Sequence, residues 1–187
     1  MNESLTTLAR TSEEWWQQTI ADEEATIHWL QNQYHGEATA VERIREFSND
    51  FVERDSKNAR ILDIIANQET NHAAWMGELL VARGVEPVLL NKVDRYWSVN
   101  APRIDSFENG AAVAAHTERM RLERLCVIAA DVTAPADIRT TFERIVPQER
   151  FHERAFRKMA GEDAMLHTLD DHQRGRALLL LFPEDEN

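Results

Sequence analysis

Four glutamates stand where apolar side chains are expected, and their spacing constrains the fold of this chain more than any other feature. Apolar residues recur at three- and four-residue steps through four segments, and each seam carries one glutamate. Glu37 lies on a seam with Val41, Ile44, Ser48 and Phe51, and Glu69 on one with Ile65, Met76 and Leu79. Glu118 runs with Leu122, Leu125, Ala129 and Val132, and Glu149 with Ile145, Phe156 and Met159. That period belongs to helices with one buried face. Glu69 follows Glu37 by 32 residues, and Glu149 follows Glu118 by 31. Within each pair a turn falls near the midpoint, RDSK at 54–57 and TAPAD at 133–137. A helix rises about 1.5 Å per residue, so equal arms about a turn bring both glutamates to one height in an antiparallel hairpin. Two such hairpins packed together put four carboxylates on one layer of the core.

The punctuation of the chain supports this arrangement. Thr11 with Glu14 forms a capping box for a first helix, whose seam runs through Trp16, Ile20, Ile27, Leu30 and Tyr34. The seam continues without a phase slip, so residues 12–53 read as one long helix or two nearly collinear ones. Asp55 or Ser56 caps the second helix, which runs to Arg83 with Gly84 as its C-cap. Residues 85–104 hold two prolines and no clear period, as expected of a crossover along a bundle. Asp105 with Glu108 caps a third helix that ends near Asp131, and a fourth ends at Gly161. A short helix around 170–181 and an acidic PEDEN tail follow. The expected fold is all-α: an antiparallel four-helix bundle with one long crossover. It forms a single domain over 1–187, divided into an N-terminal helical extension (1–36), the bundle (37–161) and a C-terminal helix and tail (162–187).

Two of the four glutamates belong to repeated motifs, QETNH at 68–72 and QERFH at 148–152. Random placement of 21 glutamates and seven histidines among 187 residues gives about one ExxH. The signal is therefore the repeated spacing and the position of all six residues on core seams. A buried carboxylate without a partner costs several kcal/mol, and four together repel one another. None of the seams offers a core arginine or lysine. Two divalent cations would neutralise four carboxylates, and each ExxH sets two ligands on one helix face, one turn apart. Oxygen-rich ligation with one imidazole per metal suits iron or manganese better than zinc.

On these residues the chain resembles the ferritin-like di-iron carboxylate superfamily, which includes ferritins, rubrerythrins and bacterial di-iron oxidases. The resemblance covers 37–161 and rests on Glu37, Glu69/His72, Glu118 and Glu149/His152 together with the hairpin–crossover–hairpin order. It implies that Glu69 and Glu149 bridge two iron (or manganese, or mixed) ions. Glu37 and His72 would then serve one metal, and Glu118 and His152 the other. Glu153, one turn beyond Glu149, is a possible extra ligand. Pro147 departs from the pattern and is expected to kink the fourth helix.

The remaining features have plainer readings. Glu42 and Glu123 fall off the seams and are expected in solvent, and Glu23 reads as a salt-bridge or interface residue. His28, His35, His116, His167 and His172 read as surface or capping histidines, and Trp15, Trp16 and Trp29 as packing. The seam Trp16–Ile20–Ile27–Leu30 overhangs a second helix that is too short to cover it. Either the crossover and C-terminal helix cover it or a second subunit does, and a homodimer through the N-terminal helix is the expectation.

A net charge of −12 disfavours nucleic acid as a partner. The single cysteine, Cys126, excludes a CxxC-type site, so any electron donor is expected to be a separate protein. The start lacks an apolar signal region, and ALLLLF at 177–182 is too short to span a bilayer, so a cytoplasmic location away from membranes is expected.

The leading function is an oxidoreductase that activates dioxygen or peroxide and oxidises or hydroxylates a small substrate, with Tyr96 and Trp97 of the crossover as pocket walls. Two other readings compete: ferroxidase or iron storage in a ferritin-type assembly, and a metal-free helical interaction protein with a polar core network.

Overall fold

The computed structural model describes residues 11–179. Residues 1–10, positions 180–181 of the expected last helix and the PEDEN tail lie outside the described residues. Within them the chain forms seven α-helices and no strand. These are α1 (Ser12–Ile20), α2 (Glu23–Phe51), α3 (Lys57–Val81), α4 (Arg95–Asn100), α5 (Phe107–Ala130), α6 (Ala136–His167) and α7 (Leu169–Leu178), with a 3-10 turn at Ala101–Arg103. The densest packing is α2 against α3 and α5 against α6, the two antiparallel hairpins of a four-helix bundle. Contact between the hairpins runs mainly through α3 and α6, whereas α2 and α5 scarcely touch.

Local chemistry explains where the helices begin. The Thr11–Glu14 box forms as expected, with reciprocal bonds of 3.1 and 3.0 Å. The single helix expected over 12–53 is broken, because Asp22 takes extended backbone and its Oδ1 accepts from the Glu24 and Ala25 amides at 2.8 and 3.2 Å. An aspartate followed by two glutamates is an N-cap with an acidic first turn, which opens a helix rather than continuing one. Ser56 caps α3, and Gly84 takes φ +72° beyond its end. Ser106, not Asp105, caps α5, its Oγ accepting from Asn109 N at 3.2 Å. Because α5 stops at Ala130, Val132 is 80% exposed and leaves the expected seam.

No break occurs at Pro147. Its residue is exposed, where the helix can open toward solvent to accommodate the ring. The non-helical residue within α6 is Gly161, at φ 74°, where the fourth helix was expected to end.

The Asp22 break lets α1 turn back onto the bundle, against α2 and α5. Trp16 is fully buried and its Nε1 donates to Asp131 Oδ2 at 2.9 Å. Its ring meets Trp29 edge-on at 5.1 Å, and Trp29 stacks on Phe142 at 5.4 Å. Within the chain Trp16 and Leu30 of the overhanging seam are buried, and Ile20 and Ile27 are partly buried. At the other end α7 packs on α4, where Tyr96 Oη lies 2.6 Å from His172 Nδ1. Gly175 permits that approach: a Cβ there would sit 2.7 Å from the Tyr96 ring.

Candidate metal centre

The two hairpins bring the six sequence-predicted residues together. Glu37 comes from α2, Glu69 and His72 from α3, Glu118 from α5, and Glu149 and His152 from α6. None is more than 6% exposed. Two groups can be drawn whose ligand atoms lie within 4.8 Å of one another: Glu37, Glu69, His72 and Glu149, and Glu69, Glu118, Glu149 and His152. Glu69 and Glu149 belong to both. His72 Nδ1 lies 3.4 Å from Glu149, 3.6 Å from Glu69 and 3.8 Å from Glu37. His152 Nδ1 lies 3.1 Å from Glu69 and 3.2 Å from Glu149.

The first residue of each motif explains how the imidazoles are held. His72 Nε2 lies 3.0 Å from Gln148 Oε1, and His152 Nε2 lies 2.8 Å from Gln68 Oε1. An amide oxygen only accepts, so each Nε2 donates and each Nδ1 faces the carboxylates. The bonds are reciprocal between α3 and α6: the glutamine of either QExxH orients the histidine of the other. Orientation of a ligating histidine through its second nitrogen is the usual support of a metal site. Sequence reasoning quoted both glutamines without giving them a role, although their repetition was the signal.

Arg121 is the third residue missed. It stands one turn beyond Glu118 on α5, off the apolar seam, and its long side chain reaches inward. The guanidinium pairs with Glu37, lies 3.2 Å from Glu149 and 3.7 Å from Glu118, and is 21% exposed. No seam carries a cation, as expected, but an off-seam arginine reaches the layer and supplies one.

Electrostatics follow from this geometry. Two carboxylates about 4 Å apart repel by roughly 4 kcal/mol at an effective dielectric of about 20, so the four cannot all ionise without compensation. Burial lifts Glu37 to about 7 against the pull of Arg121. Burial and the neighbouring Glu149 carry Glu118 well above the carboxylate range. Burial also opposes ionisation of Glu69 and Glu149. Even so, the two imidazoles beside Glu69 hold it low, and Arg121 with the same imidazoles holds Glu149 well below its usual range. Burial alone would lower His72, but the close carboxylates of Glu149, Glu37 and Glu69 push it up to about 12; His152 is raised by Glu149 and Glu69.

Compensation is incomplete in hydrogen-bond terms. Glu37 Oε2, both oxygens of Glu69, His72 Nδ1, Glu118 Oε2 and Glu149 Oε1 are buried and make no hydrogen bond of proper geometry. Buried acceptors of this kind are rare and call for a partner. The donor set, carboxylate oxygens with one imidazole nitrogen in each group, fits hard or borderline divalent cations.

Other candidates lie elsewhere. Glu153 joins neither group, because its carboxylate pairs with Arg157 at 2.6 Å. Glu123, expected in solvent, accepts from the buried Arg176 at 2.9 and 3.0 Å. His116 and His172, expected at the surface or on caps, are buried and stack at 4.5 Å. His116 does not enter the cluster. Tyr96 and Trp97 line a cavity of about 650 Å³ whose wall also carries Glu118 and Arg121, so that the cavity abuts the carboxylate layer. No helix among the described residues is long and apolar enough to cross a membrane.

Comparison with known proteins agrees with this site. A family model described as Rubrerythrin matches residues 28–160, a span that contains all six residues. No curated protein and no solved structure matches.

Proposed function

The chain belongs to the rubrerythrin family of ferritin-like di-iron carboxylate proteins, and from that premise we propose that the cluster is a di-iron centre. Its activity would be that of an oxidoreductase using dioxygen or peroxide to oxidise a small substrate. The observation that carries the reading is the set of buried acceptor atoms without hydrogen bonds, turned toward one another from four helices. Glu69 and Glu149, common to both groups, would bridge. Glu37 and His72 would complete one position, and Glu118 and His152 the other. All six residues come from one chain, so the centre does not need a second copy to be complete.

When bound, two iron ions would supply the electrons that dioxygen or peroxide reduction needs. The chain's own part is to hold and shield. Gln68 and Gln148 keep each Nε2–H engaged and present each Nδ1 to the centre. Arg121 balances carboxylate charge from the cavity side, and apolar packing shields the layer on its other sides. The cavity beside Glu118 supports an organic substrate over ferroxidase or storage activity alone. Cys126 is the one cysteine, so electrons would arrive from a separate donor protein.

Anaerobic addition of ferrous ion followed by air tests this. Two irons per chain and an oxo-bridge absorption band are expected, and Glu69→Ala or His152→Ala should abolish or halve the uptake. Uptake of many irons per chain would favour storage. Parent-like binding by both variants would refute the ligand set.

A further inference from the structure

The cavity beside the cluster holds a guanidinium that the proposed centre does not use. The cavity exists because α2 and α5 each pack on their own hairpin partner and hardly on each other. At about 650 Å³ it falls among ordinary small-molecule sites of roughly 300–1,000 Å³. One face of α2 lines it with Gly36, Ala40, Arg43, Ile44 and Phe47. Arg43 is half-buried, and its guanidinium lies over the Trp97 ring, 4.8 Å from the centroid. It makes no hydrogen bond or ion pair with any described residue.

Arg121 and Lys92 of the same wall have partners, although Asp94 also acts on Arg43 through space and Glu46 and Asp50 line the cavity too. Arg121 faces Glu37 and Glu149, and Lys92 Nζ donates to Asn32 at 2.6 Å. Asp94 Oδ1 accepts from the Tyr96 and Trp97 amides at 3.1 and 3.2 Å. Arg43 therefore offers a planar donor fork, fixed by an aromatic face, to an anion entering the cavity. A carboxylate matches that fork in bidentate fashion. A second anionic group would meet the acidic side chains Glu46, Asp50 and Asp94, which also line the cavity.

The wall between Arg43 and the cluster is apolar and open. Arg43 follows Glu37 by six residues, about 9 Å along the helix axis. Ala40 lies between them and Gly36 just beyond Glu37, both on the cavity wall, and a Cβ on Gly36 would meet nothing within 4 Å. We infer that the cavity binds a monocarboxylic acid with an extended apolar body. The acid group sits on Arg43, and the body runs past Ala40 and Gly36 to the level of Glu37 and Glu118. As a statement of substrate class this rests on the di-iron reading; as a binding site it stands without metal.

Calorimetric titration of the metal-free protein, below the micelle concentration of each probe, separates the two. Decanoate should bind one per chain, and decanol at least tenfold more weakly. Arg43→Met should weaken decanoate binding tenfold or more without changing decanol, with Arg43→Lys recovering part of the loss. Ala40→Phe, which fills the channel beside a retained Arg43, should weaken both probes. Equal affinity for decanoate and decanol, no decanoate binding, or an Arg43→Met variant that still prefers the acid would overturn the inference. Decanoate binding in a protein that takes up no iron would instead sink the di-iron reading and leave the acid site standing.

Discussion

At the scale of single residues, Arg121 shows how the layer is balanced without metal. A guanidinium against three carboxylates does for a metal-free core part of what a divalent cation does, at the cost of competing with one. Removing one partner of a buried ionic network is destabilising by about 3–5 kcal/mol. Arg121→Met should therefore lower the melting temperature of the metal-free protein and, by removing the competitor, tighten divalent-metal binding. Thermal melts with and without ferrous or manganous ion would show the two opposite shifts.

The histidines set the pH dependence. Three close carboxylates raise His72 to about 12, so at neutral pH its Nδ1 holds a proton that a metal must displace, and His152 is shifted in the same direction. Metal uptake should release protons, and apparent affinity should rise with pH between 6 and 8. Titration in two buffers of different ionisation enthalpy measures the release directly. Affinity that falls with rising pH would show that metal does not displace these protons.

Between elements, the glutamine–histidine exchange ties α3 to α6 at the height of the carboxylates. Each bond fixes one imidazole, yet its two partners lie on different hairpins, so the docking of the hairpins and the orientation of the ligand atoms are one event. Gln148→Leu keeps the size of the side chain while removing the acceptor for His72 Nε2. Metal affinity should fall about 10–100-fold with helix content unchanged, as read by competition with a chelator and by circular dichroism. Gln68→Leu should do the same through His152. Unchanged affinity in both would mean that packing alone orients the rings.

For the whole molecule, the decisive feature is the return of α1 over the end of the bundle. Trp16 closes an apolar cluster that includes Trp29, Leu80, Ile128 and Phe142, and truncating a buried tryptophan costs about 3–5 kcal/mol. Trp16→Ala should lower chemical-denaturation stability by that amount at any protein concentration, since the contact lies within one chain. A loss of stability that disappeared on raising the protein concentration would instead indicate a cover supplied by a second copy.

Much of this protein was legible in its sequence, because helix period, caps and the mirrored glutamate spacing are local or nearly local properties. Equal arms about a turn set the height of Glu37 against Glu69 and of Glu118 against Glu149 whatever the packing around them, and the six residues do meet. What sequence could not supply were the contacts made by long or polar side chains across helices. Arg121 lies off the apolar seam of α5, and only the packing of α2 and α6 beside it brings Glu37 and Glu149 within its reach. Gln68 and Gln148 acquire meaning only once each faces the other motif's histidine. The direction of α1 after Asp22 likewise depends on which apolar surface is available to receive Trp16, and that surface exists only after the bundle has formed. Periodicity along the chain determined the bundle and the carboxylate layer; side-chain reach between helices decided how that layer is balanced, oriented and opened to a cavity.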